Sequence, residues 1–323
     1  MRSGTKDSTH IIFVDTETHL QRAKRIIAHS EGKSFFFITN KRQFLQRFEK
    51  EEFFYFKNFL ELFFLIKSKL NQMEVGVLLA ARVDSLYFQL IFCLLRYKEF
   101  HSFDEGFFNI KINSRYNQEL NFEWVKQKKL KILNKLLGFP IPAAQILLSS
   151  KKHYSSLDAR FFKQSIIDVN KIVTLEPEKI TFKEEGSRSV SGEVAQKRIF
   201  IGQPWNFMGY DKKQIIRLFD QIVSLKIQSY LIHPREDLYP SKNFLNDKID
   251  KIKLNITAES FLNNLPNHET LEIYSVVTST VIDLSKNFNF FLLQPPEDHL
   301  DLKEDQDLIA EVMNYQGKKV TYV

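Results

Sequence analysis

The first strongly apolar run of the chain is Ile11-Ile12-Phe13-Val14, hydrophobic at every position. A short continuous run of this kind fits a strand buried on both faces. Residues 18–29 then place apolar side chains at helical spacing, and residues 34–39 (SFFFIT) form a second strand-like run. The alternation continues with a helix over 56–70, a strand over 75–80 (VGVLLA), a helix over 84–96 and a short strand over 101–103. Residues 118–150 read as mostly helical. Strands separated by helices of this length predict a parallel sheet with crossover helices.

A second alternating region starts at Lys197. It contains a strand over 198–202 (RIFIG), a helix over 212–225, a strand over 228–232 (QSYLI), a helix over 258–265 and a strand over 272–277. A last strand over 288–293 and a tail helix over 308–315 follow. Between the two regions, residues 173–196 hold Pro177, two Glu-rich clusters and the polar run Gly186 to Gly192, the composition of a linker. The expected architecture is α/β, with two Rossmann-like domains whose parallel sheets face a cleft. Their bounds are 1–172 and 197–323, joined by 173–196. No repeat of solenoid period is present.

Composition narrows the class. The chain has 323 residues, 43% hydrophobic and 26% charged, which describes a folded protein rather than a disordered one. A net charge of +7 favours an acidic partner, but the basic residues are interspersed, and no zinc-finger spacing or aromatic RNA-binding signature accompanies them. Nucleic acid is therefore not the expected partner. The single cysteine, Cys93, excludes an internal disulfide and suits a reducing compartment, where it serves as a small hydrophobe. The N-terminal residues MRSGTKDSTH lack the apolar core of a signal peptide. The longest apolar stretches, 59–66 and 86–95, fall short of the ~20 residues a spanning helix needs. The expected location is cytoplasmic. Peripheral contact with the inner membrane through the Lys-rich segment 126–135 is set against an ordinary solvated helix face.

Three polar segments share one address, just beyond a predicted strand, where open α/β sheets bind ligands. Asp104-Glu105-Gly106 offers two adjacent carboxylates, one of which can take a proton from an attacking hydroxyl; an ordinary polar turn reads the same way. His233-Pro234-Arg235-Glu236 projects an imidazole from a backbone that Pro234 holds extended, beside the fixed charge of Arg235. It fits a phosphate oxygen or a capped loop. Thr278-Ser279-Thr280 offers hydroxyls and N–H groups at a helix start, to a phosphate or simply as caps. Gly202-Gln203-Pro204 either approaches a ribose or base closely or only turns the chain. Asp305-Gln306-Asp307 has the spacing of a metal-binding acidic pair, but it sits where carboxylates suit a helix dipole and is read as structural. No dinucleotide-binding glycine pattern, P-loop, nucleophile elbow or metal-ligand cluster is present, so no metal ligands are assigned.

In this order, the acidic pair with Gly106, His233-Pro234 and the Ser279-Thr280 pair resemble the bacterial sialyltransferases and their D/E-D/E-G, H-P and S-S/T motifs. The surrounding text is most similar to glycosyltransferase family 52, the lipooligosaccharide and capsule sialyltransferases. Its islands here are Phe103-Asp104-Glu105-Gly106 with Asn109-Ile110, then residues 199–204 (IFIGQP), His233 to Glu236, and Glu272-Ile273-Tyr274 leading into Thr278-Ser279-Thr280. The resemblance implies a GT-B architecture with the donor held mainly by the C-terminal domain. It implies CMP-sialic acid as donor substrate, no further cofactor, a galactoside acceptor that can be lipid-linked, and inversion without a metal. It puts Gly202, Gln203, Pro204, His233, Pro234, Arg235, Glu272, Thr278, Ser279 and Thr280 on the nucleotide-sugar side. Asp104, with Glu105 beside it, is the first choice for the base and Asp211 the rival, although Asp211 also suits a helix N-cap. Phe107 and Phe108 depart from the family's small polar residues and touch on acceptor identity. A homodimer is compatible with the Phe-rich first half. The alternatives are a GT-B enzyme using another activated sugar such as CMP-Kdo, and a non-catalytic protein that binds anionic glycans.

Overall fold

The computed structural model describes residues 9–30, 33–46, 53–105, 110, 141–163, 165–175, 198–205, 208–233, 236, 245, 249–254, 258–263, 265, 271–278, 280, 284 and 288–323. The chain divides into two compact units, Met1–Glu176 and Pro177–Val323.

The first unit is built on β1 (Thr9–Phe13), β2 (Phe35–Thr39), β3 (Phe53–Tyr55), β4 (Val75–Ala80), β5 (Tyr97–Phe103), β6 (His153–Ser155) and β7 (Ile172–Thr174). They form one sheet in the order β3-β2-β1-β4-β5-β6-β7, with every pairing parallel. Its helices include α1 (Glu17–Ala28), α2 (Phe59–Ser68), α3 (Leu86–Leu94) and α4 (Ala143–Ser149). Both faces of the sheet are covered. Ile11 and Phe13 pack with Leu62, Ile66 and Phe88 on one side, while Ile12 and Val14 pack with Leu20, Ala23 and Ile26 on the other. Alternate residues of one strand thus feed two cores, which is why the run is apolar throughout. All six residues of β4 are buried for the same reason.

The second unit repeats the plan with β8 (Arg198–Ile201), β9 (Ser229–Ile232), β10 (Asp250–Lys253), β11 (Glu272–Ser275), β12 (Asn289–Leu292) and β13 (Val320–Tyr322). Their order is β10-β9-β8-β11-β12-β13, again wholly parallel. The helices α5 (Lys212–Ser224), α6 (Ala258–Asn263) and α7 (Leu300–Tyr315) accompany it. In each unit the first strand stands at the centre beside the fourth. This is the doubly wound order, and its switch points lie between β1 and β4 and between β8 and β11. The α/β architecture of two Rossmann-like units expected from the pattern is what the structure has.

Several elements differ from expectation. β3, β6, β7, β10 and β13 were not anticipated; each has three or four residues, too few to show a period, and β12 is therefore not the last strand. Residues 173 and 174 belong to β7, so the expected linker begins inside the first sheet; residues 176–197 lie outside the described residues. The helix expected over 56–70 is shorter, because Phe56 is buried after β3 and Asn58 caps α2 by accepting the Glu61 N–H. The tail helix starts earlier, at Leu300, and its polar opening turns hide the buried Gln306.

Candidate functional site

The carboxyl edge of the first sheet is ionic and largely self-satisfied. Asp104 follows β5 and is 2% exposed. Its Oδ1 lies 3.0 Å from His153 Nε2, and its Oδ2 accepts the Ser155 hydroxyl at 2.6 Å and the Ser156 N–H at 3.0 Å. The Asp104 carbonyl accepts from Arg22 at 2.8 Å. Behind it, His153 Nδ1 lies 2.8 Å from the Ser102 hydroxyl, which bonds Ser150 at 2.9 Å. The carboxylate therefore ties β5 to β6, with each oxygen engaged, and the Asp104 carbonyl ties the same strand end to α1.

Next to it stands a second ionic group. Asp15, just after β1, lies 2.6 Å from His19 Nδ1 through one oxygen and 3.3 Å from Arg82 through the other. Arg82, just after β4, also reaches Asp84 at 3.4 Å and Glu105 at 4.0 Å. Burial opposes the Asp15 charge, but the hydrogen bond and charge of His19, with the charges of Arg82 and Lys41, outweigh it and hold the carboxyl below its usual range. Burial also opposes the Arg82 charge, and Asp15, Asp84 and Glu105 together hold the guanidinium more firmly protonated than usual. Sequence reading missed Asp15, His19, Arg82, His153 and Ser155. The available signal was position, since Asp15 and Arg82 follow the two central strands directly.

The carboxyl edge of the second sheet carries mostly neutral donors. Gln203 follows β8 and donates to the Ser275 hydroxyl at 3.3 Å across the switch point, and that hydroxyl donates to the Ile201 carbonyl at 3.3 Å. Thr278 and Thr280 follow β11, both buried, with the Thr280 N–H donating to the Thr278 hydroxyl at 3.3 Å. The helix start expected after Thr280 falls on residues 281–283, which lie outside the described residues. His233 follows β9 and is half-buried. Its N–H donates to Glu236 Oε2 at 3.2 Å, while the Glu236 N–H returns to the His233 carbonyl at 2.9 Å. Glu236 Oε1 accepts the Tyr230 hydroxyl at 2.8 Å, and Tyr230 accepts the Trp205 indole N–H at 3.1 Å. Burial, then the Glu236 charge, pushes the Tyr230 hydroxyl well above its ordinary value.

Two sequence-named residues of this unit stand elsewhere or have other partners. Glu272 opens β11, at the opposite edge of the sheet from Thr278. There it pairs with Arg198 at 2.7 Å and accepts the Tyr274 hydroxyl at 2.8 Å; burial, then this bond and the Glu272 charge, pushes that phenol up to about 12. Its assignment to the nucleotide is corrected on this ground, because parallel sheets bind at their carboxyl ends. Asp211 is the N-cap of α5 in a full capping box, its Oδ1 accepting the Gln214 N–H at 2.8 Å, and it is exposed. Pro204 is half-buried between Gln203 and the buried Trp205. Gly106, Pro234, Arg235, Ser279 and the segment 126–135 lie outside the described residues. Among the described residues, no group of three or more His, Cys, Asp or Glu stands where it could hold a metal ion, and no helix is long and apolar enough to cross a membrane. Asp307 of the Asp-x-Asp pair accepts the Tyr322 hydroxyl at 3.2 Å.

The sequence profile of Glycosyltransferase family 52 matches residues 6–294. The chain belongs to glycosyltransferase family 52. No curated protein matches it. Among solved structures it is similar to Arabidopsis thaliana UGT89C1 complexed with UDP-L-rhamnose, with 9% identity, a TM-score of 0.57, and coverage of 98% of this chain and 86% of that one. It is also similar to the glycosyltransferase SnogD from Streptomyces nogalater, at 8% identity, a TM-score of 0.50 and coverage of 98% and 87%. The S. aureus MnaA-UDP structure matches at 9% identity, a TM-score of 0.55 and coverage of 95% and 88%. These likenesses carry the fold, which is GT-B. The family makes the chain a glycosyltransferase.

Proposed function

We propose that this glycosyltransferase is an inverting, metal-independent sialyltransferase that moves sialic acid from CMP-sialic acid to a galactoside of a cell-surface glycan, lipooligosaccharide or capsule. The observation that carries the reading is the make-up of the second sheet's carboxyl edge. There Gln203, Thr278, Thr280 and His233 gather beyond three adjacent strands, β9, β8 and β11. Hydroxyls, an amide and an imidazole suit a departing phosphate monoester, because preorganised dipoles stabilise its charge as it develops. The motif order Asp-Glu-Gly, His-Pro and Ser-Thr supports the same donor.

In this reading Asp211 is the base. Asp104 is buried with both oxygens engaged, and Glu105 stands in the ionic group of Arg82, whereas Asp211 is exposed on the donor-binding unit. The Asp211 carboxylate takes the proton of the acceptor hydroxyl. The hydroxyl oxygen attacks the anomeric carbon, the bond to the phosphate oxygen breaks, and CMP leaves toward His233 and the Thr278–Thr280 turn. The acceptor is lipid-linked, so the enzyme works in the cytoplasm at the inner-membrane face.

The test is incubation with CMP-sialic acid and a lactose-type acceptor, followed by product analysis. A sialylated product, with slow CMP release in the absence of acceptor, is expected. Full transfer by His233→Ala would remove the phosphate role. Stabilisation by UDP or GDP but not CMP would remove the donor, and preference for intact CMP-Kdo would move the enzyme to that substrate.

A further inference from the structure

We propose that Glu236 is the positioning residue of the His-Pro loop and that Gly202 is glycine on its account. The inference rests on the phosphate role given to His233 above. Glu236 is 8% exposed, and its two carboxylate oxygens divide their work. Oε2 takes the His233 N–H at 3.2 Å, and Oε1 takes the Tyr230 hydroxyl at 2.8 Å. The reciprocal Glu236 N–H to His233 carbonyl bond, at 2.9 Å, closes the turn. His233 thus leaves β9 along a path set at both its N–H and its carbonyl. Tyr230 in turn is held on several sides. It is 0% exposed, takes the Trp205 indole N–H at 3.1 Å, and stacks on Phe200 at 5.5 Å with a 6° interplanar angle. The donors run in one direction, Trp205 to Tyr230 to Glu236, so each bond strengthens the next.

Gly202 completes the arrangement. A Cβ there would lie 2.6 Å from Glu236 Oε2, 2.7 Å from the Leu231 carbonyl and 2.8 Å from the Tyr230 hydroxyl. The missing side chain is the space that the Glu236 carboxylate shares with the Tyr230 hydroxyl and the Leu231 carbonyl. The glycine of the Gly-Gln-Pro segment is therefore explained by this packing, with no ligand required. Two sequence islands, residues 202–205 and 230–236, with 25 residues from Trp205 to Tyr230, become one device that aims an imidazole.

The experiment is a double-mutant cycle on the full chain, with CMP release from CMP-sialic acid as readout. Glu236→Gln replaces one acceptor oxygen with an amide N–H that opposes either the His233 N–H or the Tyr230 hydroxyl. A displacement on the order of 1 Å at a reacting group costs up to ~10²-fold in rate, so kcat is expected to fall by roughly that factor while KM stays within about twofold. In the His233→Ala background the same substitution is expected to change nothing further, because Glu236 acts through His233. Losses that multiply would overturn the proposal. If Glu236→Gln does not fold, Tyr230→Phe, which removes the Oε1 partner and with it the acceptor of the Trp205 indole N–H, takes its place with the same expected non-additivity. If the wild type releases no CMP, the proposed function fails. The positioning is then read from the His233 ring resonances, which must shift in Glu236→Gln while those of His153 do not. Unchanged His233 resonances would overturn it.

Discussion

The carboxyl edges of the two sheets have the same address in the same topology and opposite chemistry. Beyond β1, β4 and β5 the first unit concentrates charge, Asp15, Arg82, Asp104 and Glu105, and uses it on itself through His19, His153 and Ser155. Beyond β8, β9 and β11 the second unit presents hydroxyls, an amide and an imidazole, with one buried carboxylate, Glu236, turned toward its own backbone. A charge already paired and desolvated is costly to redirect, whereas neutral dipoles at a sheet edge can meet an incoming anion without first breaking an ion pair. A carboxylate at a strand end is thus a weak pointer to catalysis until its partners are known.

The largest expected effect tests the reactive edge. Asp211→Asn keeps the N-cap, since Asn caps as well as Asp, but removes the proposed base. Sialyl transfer should fall by about 10²–10⁴ with little change in melting temperature. Wild-type turnover would end the role of Asp211. On the opposite edge, Asp104→Ala should cost about 3–5 kcal/mol in urea unfolding, because it strands His153 and two Ser donors in a buried site. A loss under ~1 kcal/mol would show that the first edge is less self-dependent than its geometry indicates.

Gly202→Ala should cost about 1–3 kcal/mol, the usual range for overpacking, since one of its contacts is the fixed Leu231 carbonyl. A neutral result in thermal unfolding would break the link between Gly202 and Glu236. The smallest effect concerns pH. Asp15 has a folded-state pKa below its unfolded value near ~3.9, so it contributes stability above that pH, lost as pH falls through the folded value. Wild-type stability should therefore decline more steeply below about pH 4 than that of Asp15→Asn. Parallel declines in urea titrations would remove Asp15 from the charged edge.

Much of this organisation is legible in the chain. Runs such as IIFV and VGVLLA are apolar throughout because both faces of a parallel strand are buried, and the capping pattern Asp211-x-x-Gln214 marks the start of α5. The short strands escaped because β6 is only His153-Tyr154-Ser155, polar at both ends, and its polar residues are there to serve Asp104. Asp104 and Glu272 were named from motif position. Motif position is one-dimensional, and it does not reveal that one side chain turns inward to His153 while the other opens its strand at the far edge, beside Arg198.

The amino-acid order alone determined two α/β units and the strand ends at which chemistry can occur, since periodicity and local capping act over neighbouring residues. Only the tertiary structure decided which strand-end groups are already satisfied. Partners such as Asp104 and His153, Asp15 and Arg82, or Gly202 and Glu236 are brought together by strand order and crossover helices, over separations that no local pattern spans.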